Sequence, residues 1–539
     1  MIVNIMDQIN FIKRLEDITK SKLPQEEVAK FLKLGRNSKV ENLMKSALED
    51  TNASNGIELI SPLIQKIITK KIIDDYNNTN KPLLSFLQDD LILNFLKAGL
   101  ITNLFLENFF QKVRSAITEK YAKNSVINPD HYKQSMPCLK GIASQCFSNE
   151  YIWDISEVDK NNVRIILDKS EDIIEKKGKI PNPFILILSS FQSLNKYPNL
   201  SNYINLTASH YHEINDVIKR QLLDFNEELK IRETIKNLTK VEDLTSKEVK
   251  KQYEENPYPR WLSIPEPLKN KTYGNSINDS LFKKISKEKI GTLSNVLIAG
   301  CGTGRHPIFI AALDKDIEIT AIDITKASLS YGKRMAKNLN IKNINWLQAD
   351  ILKLDDIDKK YDVIESVGVI HHMKDPNKGF ELLDRRLKKN GLLKLGLYAR
   401  YFRKGRLDTI KKYISENRLP PTIESIRDVR KYVLNNLKNK DLSPLATIPD
   451  YYNTSGFRDL LMHVQEWDYT IPEIKKMIKD KYDFIGFTLP SNKFEEYKKK
   501  FPGDRFLNNL NNWNIFEKEN PDFFEGMYQF WLQKKMNIK

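Results

Sequence analysis

The chain has 539 residues, 40% apolar and 10% aromatic, with a formal charge of +16. That length exceeds one hydrophobic core and predicts two to four domains, while the lack of any eighteen-residue apolar run predicts no membrane insertion. Three cysteines, Cys138, Cys146 and Cys301, form no CxxC pair; with a start that lacks a signal-peptide pattern, they point to a reducing, cytoplasmic setting.

Residues 1–240 read as a helical N-terminal region. "PLLSFLQDDLILNFLKAGLITNLFLENFFQKVRSAI" keeps apolar residues three and four apart with almost no breakers. Pro82 sits where a first helical turn accepts proline, and no fixed-period repeat suggests a solenoid. A charged stretch, "LKIRETIKNLTKVEDLTSKEVKKQYEE", leads to "NPYPRW", Asn256 to Trp261. Pro257 and Pro259 fix the backbone there, so Tyr258, Arg260 and Trp261 project in defined directions, as a lid over a ligand or as a plug at a domain boundary.

From Asn295 the pattern alternates. "NVLIA", "IEITAID", "INWLQAD", "YDVIESVGVI" and "GLLKLGLYA" are short runs, β-branched except for the leucine-rich last one, separated by helical stretches, which predicts βαβ units and a parallel sheet. Residues 241–400 form that ligand-binding domain. Residues 401–478 read as a helical insert at one edge of the sheet, and 479–539 supply the last two strands and a helix. The fold class is α/β, a Rossmann-like, seven-stranded, mostly parallel sheet. Within it, Asp384 to Tyr413 carries eleven basic and two acidic residues, either a functional basic face or a solvated helix surface.

"NVLIAGCGTGRHP" places three of only 20 glycines within five residues. A strand ending at Gly300 turns through Cys301 and Gly302 and starts a helix near Gly304, Arg305 and His306. Glycine permits that turn and lets backbone approach a ligand closely. The spacing is GxGxG, with Arg305 where a dinucleotide site has its third glycine, and no GK[ST] follows for a P-loop. Asp323, with Ile324, ends the next strand, where an acid accepts ribose hydroxyls. Asp350, between Ala349 and Ile351, ends the third, placed to meet an adenine amino group.

These residues resemble the class I S-adenosylmethionine-dependent methyltransferases, which implies S-adenosylmethionine as cofactor. Many members carry an acid two residues before the first glycine, and here Ile298 stands there. Longer pieces, among them "QYEENPYPRW", "ESVGVIHHMKDP" and "RDLLMHVQEWDYTIPEI", are similar to a bacterial group that includes the rickettsial outer-membrane-protein lysine methyltransferases. That resemblance implies a homodimer with an open central cavity, acting on lysine ε-amines of an acidic outer-membrane protein by direct displacement. Arg260 would then pair with the cofactor carboxylate, with Tyr258, Pro259 and Trp261 around it, and Ser366 would reach the methionine part.

Tyr398, at the end of the fifth strand, is expected to face the acceptor; Glu365, His371 and His372 are expected to orient the amine or relay its proton. His463 is a further candidate from the insert. Adjacent histidines diverge on regular structure, so no metal is expected. Neither a [DNS]PP[YW] signature nor a catalytic cysteine follows the fourth strand, which speaks against nucleic acid, although the basic stretch keeps an RNA or small-molecule acceptor open. A non-catalytic cofactor-binding protein is the remaining alternative.

Overall fold

Five short apolar runs form parallel strands in the computed structural model. It describes residues 24–34, 38–49, 54–79, 88–124, 128–262, 264, 271–280, 293–356, 358–405 and 407–536; Pro82 and Arg406 lie outside these. The runs become β2 (Asn295–Ala299), β3 (Glu318–Asp323), β4 (Ile344–Gln348), β5 (Tyr361–Val367) and β6 (Leu387–Ala399). The C-terminal runs become β8 (Tyr482–Phe487) and β9 (Met527–Lys534), both paired antiparallel.

Among the described residues nine strands share the sheet, two more than the sequence predicts. β1 (Lys236–Asn237) pairs with β4, and β7 (Asp468–Tyr469) pairs with β6, giving the order β1-β4-β3-β2-β5-β6-β9-β8 with β7 beside β6. Each addition is two residues long. A two-residue strand carries no periodicity, and β1 falls in a stretch read as helical.

Alternation along the strands sorts side chains into two layers. Leu297 and Ala299 of β2 join one buried cluster with Ile364, Leu393 and Leu395, while Val296 and Ile298 join another with Ile310, Ile319 and Trp531. Helix Pro376–Arg386 shows why the connections are helical: Asp375 accepts from the amides of Asn377 and Lys378, proline opens the first turn, and Arg385 and Arg386 close the last.

The insert is more than an appendage on the sheet edge. Ile410, Ile426, Val429, Tyr451 and Phe457 share one core with the N-terminal helices. Arg430 of the insert makes a buried two-pronged ion pair with Glu107 at 2.8 Å to each oxygen. A shared apolar core joins these regions, and this buried ion pair crosses between them. No described helix is long and apolar enough to cross a membrane.

Candidate functional site

The glycine turn closes against the neighbouring strand through one carboxylate. Gly302 N donates to Asp323 Oδ2 at 2.9 Å, and Asp323 Oδ1 accepts from Thr325 N at 2.9 Å and Thr325 Oγ1 at 2.8 Å. Burial pushes the Asp323 carboxyl up, and these donors pull it back. Gly300, Gly302 and Gly304 take φ of +77°, +53° and +82°, which L side chains rarely adopt. Helix Arg305–Leu313 then begins with Gly304 as its cap residue and no side-chain cap.

Above this turn lies a cavity of about 1130 Å³. Gly300, Cys301, Gly302, Arg305, His306, Asp323, Ile324, Ala349, Asp350 and Ile351 all line it. Asp350 N donates to Thr239 Oγ1 at 2.7 Å, and its Oδ1 accepts from Leu352 N at 2.9 Å. Burial raises that carboxyl as well. The two acids stand at successive strand ends beside a turn whose backbone no Cβ screens. This donor set fits an adenosine, with its ribose at Asp323 and its base at Asp350.

Helix Leu244–Glu255 forms another wall. Glu254 accepts from Lys326 N at 2.8 Å and Ala327 N at 3.2 Å, capping the next helix. That contact brings Ser246, Val249 and Tyr253 to the cavity. Tyr258 and Pro259 also line it, and Tyr258 Oη donates to Asp450 Oδ1 at 3.0 Å.

Glu365 is buried on β5 and lines the cavity. Tyr273 Oη donates to it, His306 Nε2 lies 2.9 Å away and Lys394 Nζ 3.4 Å away. Burial alone would raise its carboxyl, but the His306 and Lys394 charges overcome burial and hold it well below the usual range. Its partners belong to the helix Arg305–Leu313 side, so it does not join the histidines as expected.

The acceptor-side cluster is built by the insert. Tyr253 Oη donates to Asp459 Oδ1 at 2.5 Å, and Tyr398 Oη donates to Asp459 Oδ2 at 3.3 Å. His372 Nδ1 donates to the Gln465 carbonyl at 2.9 Å, which leaves its Nε2 to accept from His371 Nε2 at 3.1 Å. His463 Nδ1 accepts from Gln465 N at 3.2 Å, so its Nε2 donates to Tyr253 Oη, also at 3.2 Å. The tautomers follow from these partners. Burial lowers all three imidazoles, His463 to about 2, so they are neutral at pH 7. Burial also keeps the Tyr253 and Tyr398 hydroxyls protonated.

Ligand atoms of His372, Asp459 and His463 lie within 4.8 Å of one another. The two rings, however, stack at 3.7 Å with 23° between their planes. Lone pairs lie in the ring plane, so stacked imidazoles aim them side by side rather than at one ion.

Five expected residues stand outside the cavity lining. Arg260 Nε turns to Glu150 Oε1 at 3.3 Å, and its guanidinium lies over Phe147 at 5.3 Å; this ion pair replaces the expected cofactor carboxylate. Trp261 is buried against Trp346 and Ile308, with Nε1 donating to the Thr303 carbonyl at 3.2 Å. Gly304 packs beneath the turn against Trp346. Ser366 is fully buried on the opposite side of β5 from Glu365. His371 lies behind His372, stacked on Tyr398 at 3.9 Å. His372 and Tyr398 do line the cavity.

The basic stretch is largely neutralised. Arg400 pairs with Asp468 and Glu473, Arg403 and Lys411 with Glu466, and Arg385 and Arg386 with Asp355. It is therefore not a free basic face. Sequence reasoning missed Tyr253, Asp450 and Asp459. Tyr253 and Asp459 stand inside the runs "QYEENPYPRW" and "RDLLMHVQEWDYTIPEI", but nothing in the spacing of those runs singles these two residues out, and Asp450 lies in no such run.

Residues 291–445 match the family model described as "Methyltransferase domain". An uncharacterized protein of Synechococcus sp. is 26% identical over 200 residues, 36% of this chain and 48% of its own length. The (S)-tetrahydroprotoberberine N-methyltransferase of Eschscholzia californica is 38% identical over 80 residues, covering 15% and 23% of the two chains. The ubiquinone biosynthesis O-methyltransferase of Rickettsia akari is 34% identical over 97 residues, covering 18% and 37%. The chain thus spans about half or less of the length of these relatives. The solved structure of PKMT2 from Rickettsia typhi in complex with AdoHcy is 18% identical at a TM-score of 0.37, covering 51% of this chain and 55% of that one. The segment 291–445, which holds the glycine turn and the two strand-end acids, matches a methyltransferase domain.

Proposed function

We propose that the protein is an S-adenosylmethionine-dependent methyltransferase that methylates lysine side chains of a protein substrate. The observation that carries the methyltransferase reading is the carboxylate of Asp323, tied to Gly302 N at 2.9 Å at the floor of the cavity. When bound, the cofactor supplies a sulfonium methyl group, whose transfer forms an N–C bond while the electron pair of the broken C–S bond stays on sulfur. The residues of this chain hold the nucleoside at Asp323 and Asp350 and shape a second volume towards Tyr398.

The lysine reading rests on the resemblance of the sequence pieces and on a cavity end walled by tyrosines and acids. An acidic outer-membrane protein as substrate, a homodimer and a cytoplasmic location belong to the same reading. Incubating the protein with methyl-labelled cofactor and a cell lysate tests it. Label should appear in protein and, after acid hydrolysis, on lysine; Asp323→Ala should abolish it. Label confined to RNA or to small molecules would replace the acceptor, and no label in any fraction would overturn the reading.

A further inference from the structure

We infer that Asp459, with the hydroxyls of Tyr253 and Tyr398, is the seat of a protonated primary amine, the acceptor held before it reacts. The inference rests on the methyltransferase reading and assigns its acceptor end.

Among the described residues, the buried carboxylates sort by partner. Glu107, Glu150, Asp224 and Glu365 are each paired with a basic side chain. Asp159 forms a capping box with Ser156. Glu517 meets Tyr528 and is pushed up to about 7, so that it is half neutral. Three remain: Asp323, Asp350 and Asp459, and all three line the cavity. A nucleoside accounts for the first two. Asp459 is left without a counterpart.

A buried carboxylate without a cation is costly unless hydrogen bonds or a ligand compensate it. Two tyrosine hydroxyls supply neutral donors and no charge. The cations nearby are already neutralised. Arg403 lies over the Tyr398 ring at 3.8 Å but bonds both oxygens of Glu466 at 2.9 and 3.0 Å, and Lys411 meets the same carboxylate. Arg458, on the Asp459 helix Thr454–Leu461, pairs with Glu255 at 2.8 Å. The imidazoles of His371, His372 and His463 are neutral. Asp450, bonded by Tyr258, adds a second acid to the same wall.

The ring of Tyr398 is clamped between Arg403 and His371, which fixes its hydroxyl towards Asp459 rather than offering a face. An ammonium carries three donors. It can bond a free lone pair of the carboxylate and the tyrosine oxygens together, which a hydroxyl or carboxylate acceptor cannot do. The chemistry is an alkylammonium, from a lysine side chain or from a small amine.

The test uses the full chain saturated with S-adenosylhomocysteine and titrated calorimetrically. n-Butylammonium should bind, whereas n-butanol and butyrate should not. Asp459→Asn should weaken n-butylammonium at least tenfold and keep the S-adenosylhomocysteine affinity within twofold; Asp459→Glu should retain ammonium binding. Equal binding of ammonium and n-butanol by the unaltered protein, or equal ammonium binding by Asp459→Asn, overturns the seat. The comparison on the unaltered protein decides even where the variant fails to fold. A chain that binds no S-adenosylhomocysteine overturns the cofactor reading itself, and the seat with it; one that binds it but no ammonium overturns the seat alone. Tighter binding of a lysine tripeptide than of n-butylammonium supports a lysine side chain as the source, and equal binding supports a small amine.

Discussion

Ile298 and Glu365 are Cα partners across β2 and β5. The apolar position two residues before the first glycine therefore stands beside a buried carboxylate on the next strand. In the methyltransferases that the sequence resembles, an acid commonly stands at the first position; here Ile298 and the Glu365 carboxylate on the next strand line the same cavity.

Glu365→Gln should consequently weaken binding of ligands that carry an amino-acid end. A hydrogen bond to a charged group contributes about 1.5 to 3 kcal/mol, so the loss should be roughly ten- to a hundredfold for S-adenosylhomocysteine. Methylthioadenosine, which lacks that end, should bind unchanged. Adding Ile298→Asp should recover part of the loss. Equal weakening of both ligands in titration calorimetry would assign Glu365 to folding alone, through Tyr273, His306 and Lys394.

How much of this was legible depends on what kind of pattern each part leaves. The strands were readable because β2 to β6 are short runs with apolar residues on both faces, β-branched in β2, β3 and β5 and leucine-rich in β6. Asp323 and Asp350 were readable because strand ends in this topology have fixed roles. Arg260 and Trp261 were not. Whether a side chain next to a proline faces a ligand or a domain boundary depends on Glu150 and Trp346, which lie 110 residues before and 85 residues after those positions. Asp459 stands in a run that carries the resemblance, yet its role was not legible for the same reason, since it comes from Tyr253, 206 residues before it, and from the absence of a basic partner among the described residues.

The glycine turn carries a packing role as well as a ligand role. A Cβ on Gly304 would sit 2.5 Å from Trp346 Cη2, and its φ is +82°. Left-handed backbone costs about 1 to 2 kcal/mol for an L residue, and overpacking adds about 1 to 3. Gly304→Ala should therefore destabilise the domain by roughly 2 to 5 kcal/mol in urea unfolding. Trp346→Leu in that background should recover the packing part and leave the backbone part. No recovery would mean that the ring is not the obstacle.

The three neutral imidazoles make stability depend on acid. In the unfolded chain each takes a proton below about pH 6.5, while burial keeps the native rings neutral far below that, His463 to about 2. Unfolding then takes up protons, so stability falls as pH drops below about 6.5 and is flat above it. Arg403 and Lys411 reinforce the effect, whereas Asp459 and Glu466 oppose it at His372. His463→Asn retains an acceptor for Gln465 N and removes one titrating group. The slope of unfolding free energy between pH 5 and 6 should fall by up to about 1.4 kcal/mol per pH unit. An unchanged slope would show that His463 is protonated in the folded protein.

A seat for an ammonium has a consequence for the pH dependence of transfer. The amine must lose a proton before its lone pair is available, and lysine is half neutral only near pH 10.4. A carboxylate nearby favours the charged form and raises that value, whereas burial lowers it. The rate of transfer at saturating acceptor, which reports the bound amine, should thus rise with pH from 7 to above 9, by close to a factor of ten per unit where deprotonation limits. Asp459→Asn removes the carboxylate but keeps the tyrosine partners. The whole profile should then move to lower pH, with KM raised more than kcat is lowered. Single-turnover rates from pH 6.5 to 9.5 check both parts. A profile that moves upward in Asp459→Asn would mean that the carboxylate takes the proton rather than holding the ammonium, and the two roles separate on that sign.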